Sequence, residues 1–351
     1  METAGAHDWA GDAERADLVY VSDTEPGYRR RRAGRGFYYL DAKNGRVADP
    51  DEIARINGLA IPPAWTQVWI SAEPTAHIQA TGRDKRGRKQ YRYHAAWTSC
   101  RDEAKFSSLS AFARALPKLR DVVDGDLRKR GLPRERVVAT VVHLLDQTLI
   151  RVGNDAYAQE NKSFGLTTLR ARHLDVTSTS VRFSFIGKSG KEWKLKLADR
   201  RIASVVRSIQ ELPGQRLFQY LDDDGKRHDV RSQDVNAYIR EAIGPAFSSK
   251  HFRTWGATVS AALALGALPL PETKTQTTRE LNAVLDEVAK LLRNTRAVCR
   301  RCYVHPALVE TWLEGELQDE MRAMARKRPR ALKGLDEEET AVLRWLQARE
   351  G

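Results

Sequence analysis

The chain of 351 residues has only three cysteines, Cys100, Cys299 and Cys302. That count excludes the disulfide framework of a small secreted domain and fits a reducing cytoplasm. No apolar run approaches the ~18–20 residues of a membrane-spanning helix, so no membrane partner is expected. The first residues, METAGAHDWAGDAE, lack a basic stretch followed by an apolar one, and no signal peptide is read there. The chain shows no glycine-rich phosphate loop for ATP and no clustered carboxylates for magnesium. Cys299 and Cys302 form one Cys-x-x-C, but a zinc site needs two further ligands and no second pair exists. The expectation is no metal and no cofactor.

What the chain has in excess is positive charge. Lys and Arg total 59 against 46 Asp and Glu, a net charge of +13, and the pI is near 9.7. That balance points to a polyanion, most commonly nucleic acid. The charge is grouped. Residues 1–25 carry seven acids and one arginine, whereas residues 26–97 carry fourteen Lys/Arg against six acids. The densest segment is GRDKRGRKQYRYH, residues 82–94. There Arg86, Arg88 and Lys89 suit phosphate contacts. Gln90 suits an adenine edge in the major groove, and Tyr91 and Tyr93 suit sugar, phosphate or base. YRRRRAGRG, residues 28–36, is a second basic run.

The pattern predicts an α+β chain, a small β-rich domain followed by a larger, mostly helical one. Residues 1–25 read as an acidic, loosely ordered tail, residues 26–97 as the β-rich domain and residues 98–351 as the helical domain. In the first domain, Lys43-Asn44-Gly45 predicts a hairpin between GFYYLDA and RVADP. TQVWIS, AHIQATG and KQYRYH read as further strands. In the second, Val138, Val141, Val142, Leu145 and Leu149 recur at helical spacing and deliver Arg151 at the end of a helix. VRFSFIG and KEWKLKL predict a hairpin with Lys188 at its tip. Further helices are expected at about 200–212, 232–243, 253–265, 275–292, 305–316 and 337–349.

Four residues carry a possible chemistry. Arg151 stands in IRVGND, Lys188 in FIGKSG, Arg253 in KHFRTWG and Tyr303 in RRCYVHP. Arginines fork onto non-bridging phosphate oxygens. A lysine gives a proton to a leaving oxygen, and a tyrosine is a covalent nucleophile. Together they form a metal-free kit for phosphoryl transfer in which a phosphodiester is broken and stored. His143 reads as a satisfied core residue, while His251 and His305 flank the reactive strings.

These strings, in order, resemble the type IB DNA topoisomerases of the compact poxvirus-like branch found in bacteria, over residues 26–330. RRRRAGRGFYYLD, AIPPAW and GRDKRGRKQYRYH resemble the family's N-terminal clamp, and IRVGND, GLTTL, the hairpin Gly-Lys, K-x-x-RTWG and the terminal tyrosine resemble its catalytic domain. The resemblance implies a helical domain of the kind shared with tyrosine recombinases. It implies supercoil relaxation by transient single-strand cleavage, without ATP or obligatory metal, in a protein associated with the nucleoid. Tyr303 matches the nucleophile that forms a 3′-phosphotyrosyl bond. Arg151 and Arg253 match the arginines on the scissile phosphate, and Lys188 matches the general acid toward the 5′-oxygen. Asn294 stands where the poxvirus enzymes have histidine, and an amide still donates a hydrogen bond. Gln90, Tyr91 and Tyr93 match groove-facing residues of the clamp, and Tyr157 and Thr168 match DNA contacts of the catalytic domain. The implied partner is double-stranded DNA, gripped by a monomer that closes as a clamp.

Two other readings use the same residues. A tyrosine recombinase shares the nucleophile but typically shows H-x-x-R at the second arginine, where this chain has Lys250. A non-catalytic DNA-binding protein needs only the basic patches, and the complete kit argues against it.

Overall fold

The computed structural model describes residues 13–14, 16–34, 36–326 and 330–350; the side chains of residues 100–105, 156 and 157 lie outside that description. The chain divides into two compact units, residues 1–106 and 107–351.

The first unit holds a five-stranded sheet of β1 (Tyr28–Ala33), β2 (Gly36–Leu40), β3 (Thr66–Ile70), β4 (Ile78–Arg83) and β5 (Lys89–Tyr93), with a helix α1 (Pro50–Gly58) between β2 and β3. The order is β2-β1-β3-β4-β5, so β5 is an edge strand. The core gathers Tyr39, Ile56, Val68, Ile70 and Ala80. A helix α2 (Ala95–Ser107) follows β5. The basic run in β1 is partly structural. Arg30 lies over the Phe37 ring, 4.2 Å from its centre, and donates to the carbonyls of Ile61, Pro62 and Trp65 at 2.9–3.0 Å.

Two expectations are corrected here. The Asn44-Gly45 turn closes only one bridge, Leu40 with Arg46, because β2 pairs along its length with β1. The acidic segment is not a loose tail over residues 18–25, because it finds partners on the sheet. Val19 bridges Ala76, Leu18 and Val21 are buried, and the Val21 amide donates to His77 Nδ1 at 3.1 Å. Tyr20 stacks on the His77 ring at 4.1 Å. Asp23 pairs with Lys89 at 2.6 Å and accepts from Thr81 Oγ1 at 2.9 Å. Residues 1–12 of that segment lie outside the described residues.

The second unit is mostly helical. Its helices are α3 (Leu109–Leu127), α4 (Arg134–Thr148), α5 (Asp155–Asn161), α6 (Arg200–Gln210), α7 (Ser232–Ile243), α8 (Lys250–Gly266), α9 (Lys274–Leu292), α10 (Arg296–Cys302), α11 (Pro306–Glu314), α12 (Leu317–Arg326) and α13 (Glu337–Glu350). A three-stranded sheet of β6 (Leu174–Val176), β7 (Ser180–Ile186) and β8 (Glu192–Ala198) and a pair of β9 (Gln219–Leu221) and β10 (Arg227–Asp229) complete it. Helix α4 is apolar nearly all round, with Val137, Val138, Val141, Val142, Leu144 and Leu145 buried, so it runs through the core. Burying each such side chain contributes about 1.5–3 kcal/mol. Helix α8 packs against α3, α4, α9, α11, α12 and α13. It is the central element to which the candidate residues are referred. Among the described residues no helix is long and apolar enough to cross a membrane.

Candidate active site

Two helices of the second unit end in the same way. Helix α4 stops at Leu149, with φ +55°, and α9 stops at Arg293, with φ +51°. Both residues adopt the left-handed conformation that turns the chain out of a helix. The carbonyls left unpaired at these two ends meet one side chain. Arg253, buried on α8, donates through Nη1 to Leu149 O and through Nη2 to Leu292 O, the latter at 2.9 Å. A cation at a helix C-terminus is favourable, worth about 0.3–1 kcal/mol when exposed and up to ~2 when partly buried. Here one guanidinium serves two ends. Gly256 makes the approach possible, since a Cβ there would lie 2.7 Å from Leu149 Cδ1.

Just beyond each helix end stands the next candidate. Arg151 is two residues past Leu149, and Asn294 is two residues past Leu292. Arg151 Nη2 donates to Asn294 Oδ1 at 2.7 Å. The Arg151 main chain is clamped by the turn at 165–168: Leu166 N donates to Arg151 O at 2.9 Å and Thr167 N to Val152 O at 2.8 Å. Gly165 must be glycine for this contact, because a Cβ would lie 2.6 Å from Arg151 O.

Tyr303 follows α10, a short helix capped by the Thr295 side chain. Its amide donates to Cys299 O at 3.0 Å, and its carbonyl accepts from Thr258 Oγ1 on α8 at 3.1 Å. The Arg253 guanidinium carbon lies 5.0 Å from the Tyr303 ring centre. Burial alone would raise the Tyr303 pKa. The charges of Arg253 and Arg151, with their hydrogen bonds to its side chain, more than reverse this and hold it below the ordinary value of a tyrosine. Burial, and then the charge of Arg151, pulls Arg253 itself down to about 10, so it is still a cation at neutral pH. Two donors in this cluster, Arg253 Nε and Asn294 Nδ2, are buried without a hydrogen-bond acceptor. Such donors are uncommon in a folded protein and mark a place where an acceptor fits.

Arg151, Arg253, Asn294 and Tyr303 are thus one cluster. Lys188 is placed differently. It stands, exposed, in the turn joining β7 to β8, which Ser189 and Gly190 close with φ +62° and +73°. Cys299 and Cys302 form no disulfide, and burial pushes the Cys299 thiol up to about 11. No group of three or more metal-ligating side chains exists among the described residues. His251 and His305 have ring partners of their own. His251 packs on Phe112 and Phe247, while His305 caps α11 and meets the Trp345 ring edge-on. His143 pairs with Asp199 at 3.3 Å.

The basic segment of the first unit forms the β4–β5 hairpin. Lys89, Tyr91 and Tyr93 share one face of β5, with both tyrosines exposed and their rings stacked at 5.7 Å. Gln90 does not join them, since alternation along a strand sends it to the other face. There its Nε2 donates to Asp84 Oδ2 at 3.1 Å. Arg88 pairs with the same carboxylate at 2.6 Å, and Arg86 lies exposed in the turn. Thr168 is buried, and its hydroxyl both donates to Gly165 O and accepts from Gly165 N, so it shapes the turn that holds Arg151. The side chain of Tyr157 lies outside the described residues.

Sequence reasoning missed the helix-end carbonyls under Arg253, the hydroxyl of Thr258, and the acidic partners Asp84 and Asp23. Only Asp84 carried a local signal, in Asp-Lys-Arg-Gly, a turn sequence whose aspartate accepts from main-chain amides two and four residues on.

Two family models match the chain. Eukaryotic DNA topoisomerase I, catalytic core, matches residues 94–330, and Bacterial DNA topoisomerase IB, N-terminal domain, matches residues 36–84. Among named relatives, DNA topoisomerase 1B of Acanthamoeba polyphaga mimivirus is 33% identical over 289 residues, 79% of this chain and 85% of the relative. DNA topoisomerase 1B of Vaccinia virus (strain Copenhagen) is 19% identical over 254 residues, 70% of this chain and 75% of the relative. DNA topoisomerase 1 of Mycosarcoma maydis is 24% identical over 177 residues, 45% of this chain but 17% of the relative.

Proposed function

The chain belongs to the type IB DNA topoisomerases, and on that premise we propose that Tyr303 is the nucleophile that opens one strand of a DNA duplex. The observation that carries this reading is the pair of guanidiniums at Tyr303, which hold its pKa below the ordinary value despite burial. The phenolic oxygen, its proton released to solvent, attacks the scissile phosphorus. A P–O bond to Tyr303 forms as the P–O5′ bond breaks, leaving a 3′-phosphotyrosyl ester and a 5′-hydroxyl. Arg151 and Arg253 neutralise charge on the non-bridging oxygens, which is where most of the catalysis of phosphoryl transfer lies. Asn294 has its Oδ1 committed to Arg151, so it faces the phosphate with Nδ2 as a neutral donor. Lys188, carried on its hairpin turn, protonates the departing 5′-oxygen.

One phosphoester replaces another, so religation by the 5′-hydroxyl needs no ATP. Between the two steps the free end rotates and supercoils relax. The exposed Lys89-Tyr91-Tyr93 face supplies a second contact with duplex DNA. We place this activity with the chromosome in the cytoplasm.

The test is plasmid relaxation in EDTA without nucleotide, followed by trapping of the covalent adduct. The expected product is a peptide ending in a 3′-phosphoryl adduct on Tyr303, lost in Tyr303→Phe with duplex binding retained. An adduct that persists in Tyr303→Phe reassigns the nucleophile. Recombination between defined sites, without relaxation, would return the chain's chemistry to the recombinase type.

A further inference from the structure

Behind the cluster, on the far side of α8, lies a partly buried charge network. Arg120 on α3 is bidentate to Glu339, Nη1 to Oε2 at 2.7 Å and Nη2 to Oε1 at 2.8 Å. It also binds Asp146 on α4, through Nε at 2.8 Å and Nη2 at 3.1 Å, and Gly334 O at 2.9 Å. Glu339 Oε1 accepts a further hydrogen bond from Trp255 Nε1 on α8 at 3.0 Å. Glu339 sits in the first turn of α13, fixed there by reciprocal bonds with Asp336. The side chain of Glu339 is mostly buried, and so is that of Trp255. Burial works against the charge of both Arg120 and Glu339, but their mutual pairing wins: Arg120 is held above its usual range and Glu339 below its own.

The partners of this network are the carriers of the candidate arginines. Asp146 is three residues before Leu149, whose carbonyl receives Arg253, and five before Arg151. Trp255 is two residues from Arg253, about 200° around the helix, so it is gripped from behind while Arg253 reaches forward. One carboxylate therefore meets α8 directly and α4 through Arg120. Residues 337–350 follow the stretch that the catalytic-core model matches, which ends at 330. The same helix reaches the nucleophile's side as well, where Trp345 meets the ring of His305, two residues past Tyr303.

We infer that Glu339 is a positioning residue for phosphoryl transfer, the C-terminal helix α13 setting the registry of α4 against α8 so that Arg253 and Arg151 meet at Tyr303. The inference rests on the proposed roles of those three residues. Small displacements matter in such a site, because a misplacement of about 1 Å can cost on the order of 10²-fold in rate.

The experiment measures two quantities on a defined duplex, at a temperature where circular dichroism shows each protein folded: the dissociation constant, and the single-turnover rate of covalent adduct formation from the bound complex. Glu339→Gln keeps an acceptor for Trp255 but loses the ion pair with Arg120. Trp255→Phe keeps the ion pair and loses the grip on α8. Each is expected to slow adduct formation at least about 10-fold with the dissociation constant nearly unchanged. Glu339→Gln combined with Trp255→Phe should slow it by less than the product of the two, since both act through one contact. Parental rates in both variants, even with a lowered melting temperature, would make the network a stability bridge and overturn the inference alone. Should Glu339→Gln fail to fold, a parental rate in Trp255→Phe still overturns it. A parent protein that forms no adduct overturns the catalytic reading and the inference with it.

Discussion

Arg151 and Asn294 are partners: the guanidinium Nη2 donates to the amide Oδ1 at 2.7 Å. This bond decides which end of the amide is left over. The buried Nδ2 has no acceptor within the protein, so the residue offers a donor and no charge.

Asn294→Ala should therefore slow adduct formation by about 10²-fold, the usual worth of one preorganised donor, and by less than Arg151→Ala or Arg253→Ala. Asn294→His should restore part of the loss and bring a new pH dependence near ~6.5, the ordinary pKa of histidine. Single-turnover cleavage from pH 5 to 9 checks both. A parental rate in Asn294→Ala at every pH would remove this residue from the phosphate.

The pH profile of the parent follows from Tyr303. Burial raises its pKa, and Arg253 and then Arg151 lower it by more. Cleavage should rise with pH and approach its plateau below the ~10 of a free tyrosine. Arg253→Gln removes the largest lowering influence, so the rising limb should move to higher pH as the maximum rate falls. The linkage has the same sign. A pKa depressed on folding adds stability at high pH that is lost as pH falls through the folded pKa. Rates are best compared below pH 10, because Arg253 itself loses its proton at about 10. An unmoved limb in Arg253→Gln would mean that the limb reports another group.

Lys188 stands in a turn that needs two left-handed residues, so its position depends on a small and exposed piece of chain. Lys188→Ala should slow cleavage by about 10²–10⁴-fold. A duplex with sulfur in place of the scissile 5′-oxygen has a leaving group that needs no proton, and it should recover most of that loss. Failure of the thio substrate to rescue would make Lys188 a DNA contact only.

Asp23 holds Lys89 in an ion pair at 2.6 Å on the tyrosine face of β5. Asp23→Asn should free the ammonium for a phosphate. Binding should tighten at low salt, and the dependence of log K on log salt should steepen by roughly 0.9. Lys89→Ala in the same background should cancel the change. An unaltered slope in Asp23→Asn would place Lys89 away from the phosphates.

The helices were legible because their signals are local. Apolar residues of α4 recur every three or four positions, and the period-two runs of β7 and β8 fix both the strands and the turn that holds Lys188. The second hairpin was misread at Asn44-Gly45 because the turn signal was real while the strand partner came from upstream, in β1. The separation of Gln90 from Tyr91 and Tyr93 was not legible, because a motif lists residues in a row and a strand sorts them onto two faces. The Arg151–Asn294 bond joins positions 143 apart, and no spacing rule reaches that far. Arg253 was legible as an arginine of interest. Its attachment to two helix ends was not, since those carbonyls belong to the main chain and have no letter in the sequence.

The main-chain attachments of Tyr303 acquire a mechanical meaning once a DNA end hangs from its side chain. On the proposed mechanism, drag on the turning duplex pulls at this one residue while the strand is open. The pull enters the backbone between an amide held by Cys299 O and a carbonyl held by Thr258 Oγ1. It is therefore passed into the long helix α8, the same rod that carries Arg253. On that mechanism, tension on the tether and the position of the guanidinium that later helps reseal the strand are borne by one helix, so a taut linkage keeps the site in register through the swivel.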